Sequence, residues 1–230
     1  MTRTINCTGD CTRTAGGLPA ADPWTLYDRL SGLYAVLASL SERAAGRQGP
    51  ALLRLREGEV VLEAGCGPGF ALPDLALAVG TSGCVRGLDL SPRMVALARR
   101  RLAQAGGMPS ARVEQGDVRN MPFPSAFFDA CFVSFTLELL GDPDMIRALG
   151  ECMRVLRPDG RLVVVSLSRN GPDTPARSLY ESGHRHLPGL LDCRPIHVAQ
   201  SLAAAGFRIT GQQVFRLSGL PVEVVRGEMR

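Results

Sequence analysis

Lysine is missing from this chain: all 26 basic residues among its 230 are arginine. That absence excludes Schiff-base catalysis and a P-loop lysine, since both need an ammonium group on a flexible stem. Charge of one sign is also in short supply. The formal charge of +4 is spread along the whole chain, whereas a nucleic-acid partner calls for a clustered basic stripe. Long apolar runs are lacking near the start. Leu33 to Leu40 is the longest there, far short of the about 20 residues of a membrane span, and Met1 to Ala21 has no apolar h-region of a signal peptide. Cysteine pairs at metal spacing are lacking too. Seven cysteines occur, and Cys7 and Cys11 form a C-x3-C pair with no second pair following it, so no metal site is expected and reduced thiols in a cytoplasmic protein are the simplest account.

What is present is a globular composition, 45% hydrophobic and 21% charged. A chain of this size buries roughly 70–75% of its unfolded surface without staples. Residues 1–21 are rich in Thr and Gly and read as a disordered tail, and 22–230 as a single domain. Within 22–57, Asp22-Pro23 opens an amphipathic helix with Leu26, Leu30, Leu33, Leu37 and Leu40 at three- and four-residue spacing. Strands and helices then alternate. Strands are expected at Val60 to Leu62, Cys84 to Leu90, Ala111 to Gln115, Phe128 to Val133 and Arg161 to Leu167. Helices are expected at Leu72 to Val79, after Ser91-Pro92, and from Asp142-Pro143 to about Leu156, with a turn at Pro158-Asp159-Gly160. This spacing indicates βαβ units and a parallel sheet covered on both faces. A loop-rich segment, 168–194, precedes a helix at about Pro195 to Ala205, capped by Gly206. Two extended runs, Phe207 to Leu217 and Leu220 to Val225, are split by Ser218-Gly219 and read as an antiparallel hairpin completing the sheet.

Glu63-Ala64-Gly65-Cys66-Gly67-Pro68-Gly69 follows an apolar strand and precedes a helix, the position of a ligand-binding switch point. Glycines there let the backbone approach a ligand. The dinucleotide fingerprint G-x-G-x-x-G would need glycine at 70, where Phe70 stands.

The run E-x-G-x-G-x-G looks like motif I of the class I S-adenosylmethionine-dependent methyltransferases. The resemblance extends to Asp89 at the end of the second strand, Gly116-Asp117-Val118 after the third, Phe128-Asp129 opening the fourth, and Arg154 to Leu162 before the fifth, five motifs in order over residues 60 to 167. It implies a Rossmann-like, seven-stranded, mostly parallel sheet and S-adenosylmethionine as cofactor. It also implies a cofactor site of Glu63, Gly65, Cys66, Gly67, Gly69, Asp89, Leu90, Met94, Asp117, Val118 and Ser134, with Asp89 accepting from the ribose hydroxyls and Asp117 from the adenine amino group. Residues 58–167 would then be the cofactor-binding core, 22–57 a helical cap, 168–194 a variable substrate segment, and 195–230 the closing helix and hairpin. The segment Tyr27-Asp28-Arg29-Leu30-Ser31 is similar to one in the ubiquinone/menaquinone-biosynthesis C-methyltransferases, so Tyr27 joins the cofactor site and Tyr34 the substrate pocket. Where those enzymes often carry histidines after strand four, this chain has Phe135-Thr136-Leu137-Glu138.

Methyl transfer from a sulfonium is an in-line displacement needing proximity, alignment and exclusion of water. A base is needed only when the nucleophile must lose a proton. His184 and His186 are the candidates. Phe135, Glu138 and Tyr180 complete the expected substrate pocket, with Glu138 either touching substrate or hydrogen-bonding backbone. Arg93 and Arg99-Arg100-Arg101 read as the solvated face of one helix, with no aromatic stacking platform beside them. The expectation is therefore a methyltransferase for a small, apolar or aromatic molecule, quinol- or phenol-like, with no nucleic-acid partner. A lipid-like substrate would add peripheral membrane contact. The same core also serves nucleic-acid and protein methyltransferases, and enzymes of other reactions such as cyclisation.

Overall fold

A computed structural model of the chain describes residues 51–170, 194–217 and 219–229. The expected tail, most of the N-terminal helical cap and the segment 171–193 lie outside them, and with them Cys7, Cys11, Tyr27, Tyr34, Tyr180, His184 and His186.

Seven strands form one sheet in the order β3-β2-β1-β4-β5-β7-β6. In chain order the elements are β1 (Val60–Ala64), α1 (Leu72–Val79), β2 (Cys84–Asp89), α2 (Pro92–Gln104), β3 (Ala111–Gln115), β4 (Phe128–Ser134), a 3-10 turn (Leu137–Leu139), α3 (Asp142–Val155), β5 (Leu156–Leu167), α4 (Val198–Ala204), β6 (Arg208–Leu217) and β7 (Leu220–Glu228). β1 to β5 pair in parallel, and β7 runs antiparallel between β5 and β6. The number of strands, the parallel core and the C-terminal antiparallel hairpin match the expectation, and Leu217 pairs with Leu220.

Central strands covered on both faces are near-continuous apolar runs, and every residue of β1, Glu63 included, is buried. Alternate side chains feed two cores. Leu62, Val133 and Val164 meet Met145, Leu149 and Val155 of α3 and Leu202 of α4, whereas Val61, Phe132 and Val163 meet Leu75 and Val79 of α1 and Val95 and Ala98 of α2. Helix starts follow local chemistry. Ser91, in extended geometry, accepts the Met94 N–H at 3.3 Å, with Pro92 in the first turn.

The fifth strand begins earlier than expected. It starts at Leu156, directly from α3, and the register slips between Phe128↔Leu156 and Ala130↔Arg161. Pro158-Asp159-Gly160 is thus a bulge within β5 rather than a turn ahead of it, with Asp159 at φ 66°. α4 also starts later than expected, at Val198, because Ile196 is drawn into a bridge with Ser168. Cys66, Cys131 and Cys152 are free and buried.

Candidate cofactor and substrate site

The glycine loop sits beyond the carboxyl end of β1. Its backbone turns sharply, with φ of 72° at Gly65, 51° at Gly67 and 78° at Gly69, a region costly for residues with a Cβ. The three glycines serve different ends. A Cβ on Gly65 would run into Thr136, and one on Gly69 would come within 2.8 Å of the Ala98 Cβ and 2.9 Å of the Leu72 side chain. Among the described residues nothing lies within 4 Å of a Cβ built on Gly67, so the middle glycine leaves room above the loop. Gly65 and Gly69 let the loop pack down, and Gly67 leaves a cradle above it.

Asp89, the last residue of β2, ties this loop to the next. Its Oδ2 accepts the Gly67 amide at 2.7 Å and its Oδ1 the Ser91 amide at 3.0 Å. A carboxylate accepts hydrogen bonds at about four positions, the chemistry that ribose hydroxyls call for. Gly65 and Cys66 both donate to the Leu88 carbonyl, at 2.8 and 2.9 Å. Together these bonds hold the strand ends of β1 and β2 in one edge. Glu63 is buried one turn back in β1, paired in register with Gly87 and Phe132.

Arg101 holds the loop from the other side. It donates to the Pro68 carbonyl and lies 3.6 Å over the Phe70 ring, a cation–π contact. Arg99 donates to the Val113 carbonyl at 2.8 and 3.1 Å. The reading of this arginine run as a purely solvated face therefore holds for neither Arg99 nor Arg101. Their long stems reach back across the helix to carbonyls that no helical periodicity could point to.

Asp117 follows β3 and is gripped by Arg119. Its Oδ1 accepts the Arg119 amide at 2.8 Å and Nε at 2.9 Å, and its Oδ2 accepts Nη2 at 2.7 Å. Arg119 also reaches Asp144 at 2.8 Å. Burial pushes the Asp117 carboxyl up, but the side-chain and backbone hydrogen bonds and the charge of Arg119 outweigh it and hold the carboxyl below its usual range. Nothing in the spacing of the sequence signalled this pair.

Leu90 and Val118 are half-buried beside these carboxylates, and Met94 is fully buried beneath α2. Ser134 ends β4, where its carbonyl receives the Thr136 hydroxyl at 3.0 Å. Phe135 has φ 49° and donates its amide to Val165 at 2.9 Å. Glu138, left open between substrate contact and backbone bonding, turns toward β5. It is fully buried, accepts the Ser166 hydroxyl at 2.7 Å, and among the described residues has no cationic partner. Burial pushes its carboxyl up to about 7, against the opposing effect of these hydrogen bonds. No group of three or more metal-ligating side chains occurs among the described residues.

A doubly covered sheet of this strand order, with a glycine loop after β1 and an acid closing β2, defines a Rossmann-like nucleoside-cofactor protein. The family model described as methyltransferase domain matches residues 61–160. Nocamycin O-methyltransferase of Saccharothrix syringae is 31% identical over 201 residues, covering 79% of this chain and 71% of that one. The chain belongs to the S-adenosylmethionine-dependent methyltransferases. The ubiquinone/menaquinone biosynthesis C-methyltransferase of Vibrio vulnificus is 33% identical over 132 residues, 57% of this chain and 50% of that protein. The chain spans about half or less of the length of several such relatives. Among solved structures, a SAM-dependent methyltransferase from Aquifex aeolicus superposes with TM-score 0.62 at 24% identity, over 91% of this chain and all of that one. The cyclase SpnF superposes with TM-score 0.69 at 19% identity, over 93% and 99%. These two likenesses show the fold.

The family implies S-adenosylmethionine as cofactor, and the residues present fit it. The open cradle above Gly67 and the Asp89 carboxylate at its edge offer the shape and the acceptors that a nucleoside ribose requires.

Proposed function

We propose that the protein transfers the methyl group of S-adenosylmethionine to a small, apolar or aromatic nucleophile, quinol- or phenol-like. The observation that carries this reading is the Gly67 cradle joined to Asp89, beyond the carboxyl ends of the strands where this fold class binds its ligands. Two curated relatives bear names of small-molecule O- and C-methyltransferases, which supports the substrate class.

Bound S-adenosylmethionine supplies a methyl group on a sulfonium, whose departure as a neutral thioether needs no metal or covalent enzyme intermediate. The chain's own residues supply the rest. Asp89 holds the ribose while keeping its grip on the Gly67 and Ser91 amides, and Asp117 serves the adenine amino group by sharing its acceptor positions with Arg119. Glu63, Gly65, Cys66, Gly69, Leu90, Met94, Val118, Ser134 and Tyr27 complete the cofactor site. Tyr34, Phe135 and Tyr180 bound the substrate pocket, and Glu138 stands behind it, buried against Ser166. His184 and His186 are the proton acceptors when the nucleophile is a phenol or carbon acid, a contribution of about 100- to 10,000-fold in rate. We assign 22–230 to one domain, with 22–57 as its cap and 168–194 as its substrate segment, and place the protein in the cytoplasm. Among the described residues no helix is long and apolar enough to cross a membrane.

The test is incubation with labelled methyl donor and a panel of quinols, phenols and lipid head groups. S-adenosylhomocysteine formation with a mass gain of one methyl on a quinol or phenol is expected. Labelling of RNA or protein but of no small molecule would overturn the reading. The likeness to SpnF favours a second reading, cyclisation with the cofactor retained, which would give a product of unchanged mass.

A further inference from the structure

At the opposite pole of the sheet, below the amino ends of β1 and β4, a cavity of about 430 Å³ is lined by Arg54, Arg56, Arg157, Arg161 and Arg226 with Glu59, Asp129 and Asp159. Half of its ten lining residues are guanidinium bearers drawn from three separate chain segments. Two of them are accounted for structurally. Arg161 pairs with Glu59, and Arg157 with Asp129, whose other oxygen accepts the Val60 amide at 2.8 Å. Arg226 is engaged by its own partners as well, whereas Arg54 and Arg56 are not. Arg54 and Arg56 are exposed at the rim, and their guanidinium groups make no hydrogen bond or ion pair among the described residues. Arg226, with 14% of its side chain exposed, spends Nη1 on the Leu52 carbonyl and Nη2 on Glu228, and its buried Nε has no hydrogen-bond partner there. Arg54 also holds a left-handed φ of 49°, a strain that a fold keeps where its surroundings over-determine it. Against these two unpaired cationic groups stands one lining carboxylate outside an ion pair among the described residues, Asp159.

We infer that this cavity is an oxyanion-binding site, separate from the cofactor loops, which takes a phosphate-bearing small molecule through Arg54 and Arg56. Guanidinium forks match the oxygens of phosphate two at a time, and the volume lies in the range of small-ligand pockets, about 300–1,000 Å³. The inference does not depend on the methyl-transfer reading.

Titration calorimetry of the full chain with pyrophosphate, in a phosphate-free buffer at low salt, tests it. One saturable site is expected, weakened about tenfold or more in R54Q/R56Q and about threefold in each single variant, both rim residues lying outside the core. R147Q, which removes an exposed arginine elsewhere, should stay within about twofold. Saturating S-adenosylhomocysteine should leave pyrophosphate affinity within about twofold as well. Absence of saturable binding, equal loss in R147Q and R54Q/R56Q, or competition with S-adenosylhomocysteine would each overturn the site. So would Arg54- and Arg56-dependent binding of single-stranded RNA that pyrophosphate does not displace, since it would assign the surface to nucleic acid.

Discussion

The Gly67 amide donates to the Asp89 carboxylate at 2.7 Å, so the loop after β1 and the end of β2 are one unit before any ligand arrives. Asp89→Ala removes the tie between the loops and the proposed ribose acceptor together. Hydrogen bonds to charged groups are worth about 1.5–3 kcal/mol, so S-adenosylhomocysteine affinity by calorimetry should fall at least about tenfold. Wild-type affinity in this variant would remove Asp89 from the site.

The three loop glycines should separate stability from binding. Gly69→Ala meets Ala98 and Leu72 at a φ of 78°, and overpacking added to left-handed strain should cost about 2–4 kcal/mol by urea unfolding. Gly67→Ala meets nothing and should cost only the backbone strain, about 1–2 kcal/mol, while intruding on the cradle and weakening S-adenosylhomocysteine at least severalfold.

Arg101 and Arg100 are adjacent, but only Arg101 both donates to the Pro68 carbonyl and covers Phe70. Arg101→Ala should loosen the glycine loop and raise the Kd for S-adenosylhomocysteine about fivefold, equivalent to about 1 kcal/mol. Arg100→Ala should leave it unchanged. Equal effects would mean that only the charge of the helix matters.

Glu138 gives a pH signature. Its folded carboxyl sits at about 7 against an ordinary 4.5, so the folded state holds the proton more tightly than the unfolded one. The stability this brings is fully present below pH 4.5 and is lost as pH rises through about 7, on the order of 3 kcal/mol in all. Glu138→Gln keeps an acceptor for Ser166 and cannot ionise. Melting temperatures measured from about pH 5 to pH 8 should therefore decline less steeply in the variant than in the wild type. Parallel curves would show that Glu138 does not titrate in this range.

The alternation of elements was legible because buried parallel strands are near-continuous apolar runs and because Ser91-Pro92 and Asp142-Pro143 announce helix starts locally. The glycine loop was legible for a similar reason: positive φ demands glycine at the residue itself, whatever surrounds it. The bulge at Pro158-Asp159-Gly160 has the sequence of a turn, since the same three residues suit either until a partner strand sets the register.

Local chemistry along the chain thus determined the order of strands and helices, the loop and its acids at 63, 89 and 117, and the family they resemble. Only the tertiary structure decided what those acids touch. Arg119 grips Asp117, Glu138 turns to Ser166 rather than into open space, and Arg101 folds back on Pro68. The arginine cavity is the clearest case, because residues 54, 56, 157, 161 and 226 become neighbours only when β5 pairs with β4 and β7. Contacts between side chains so far apart in sequence have no period and no motif; they exist only once long-range strand pairing brings the segments together.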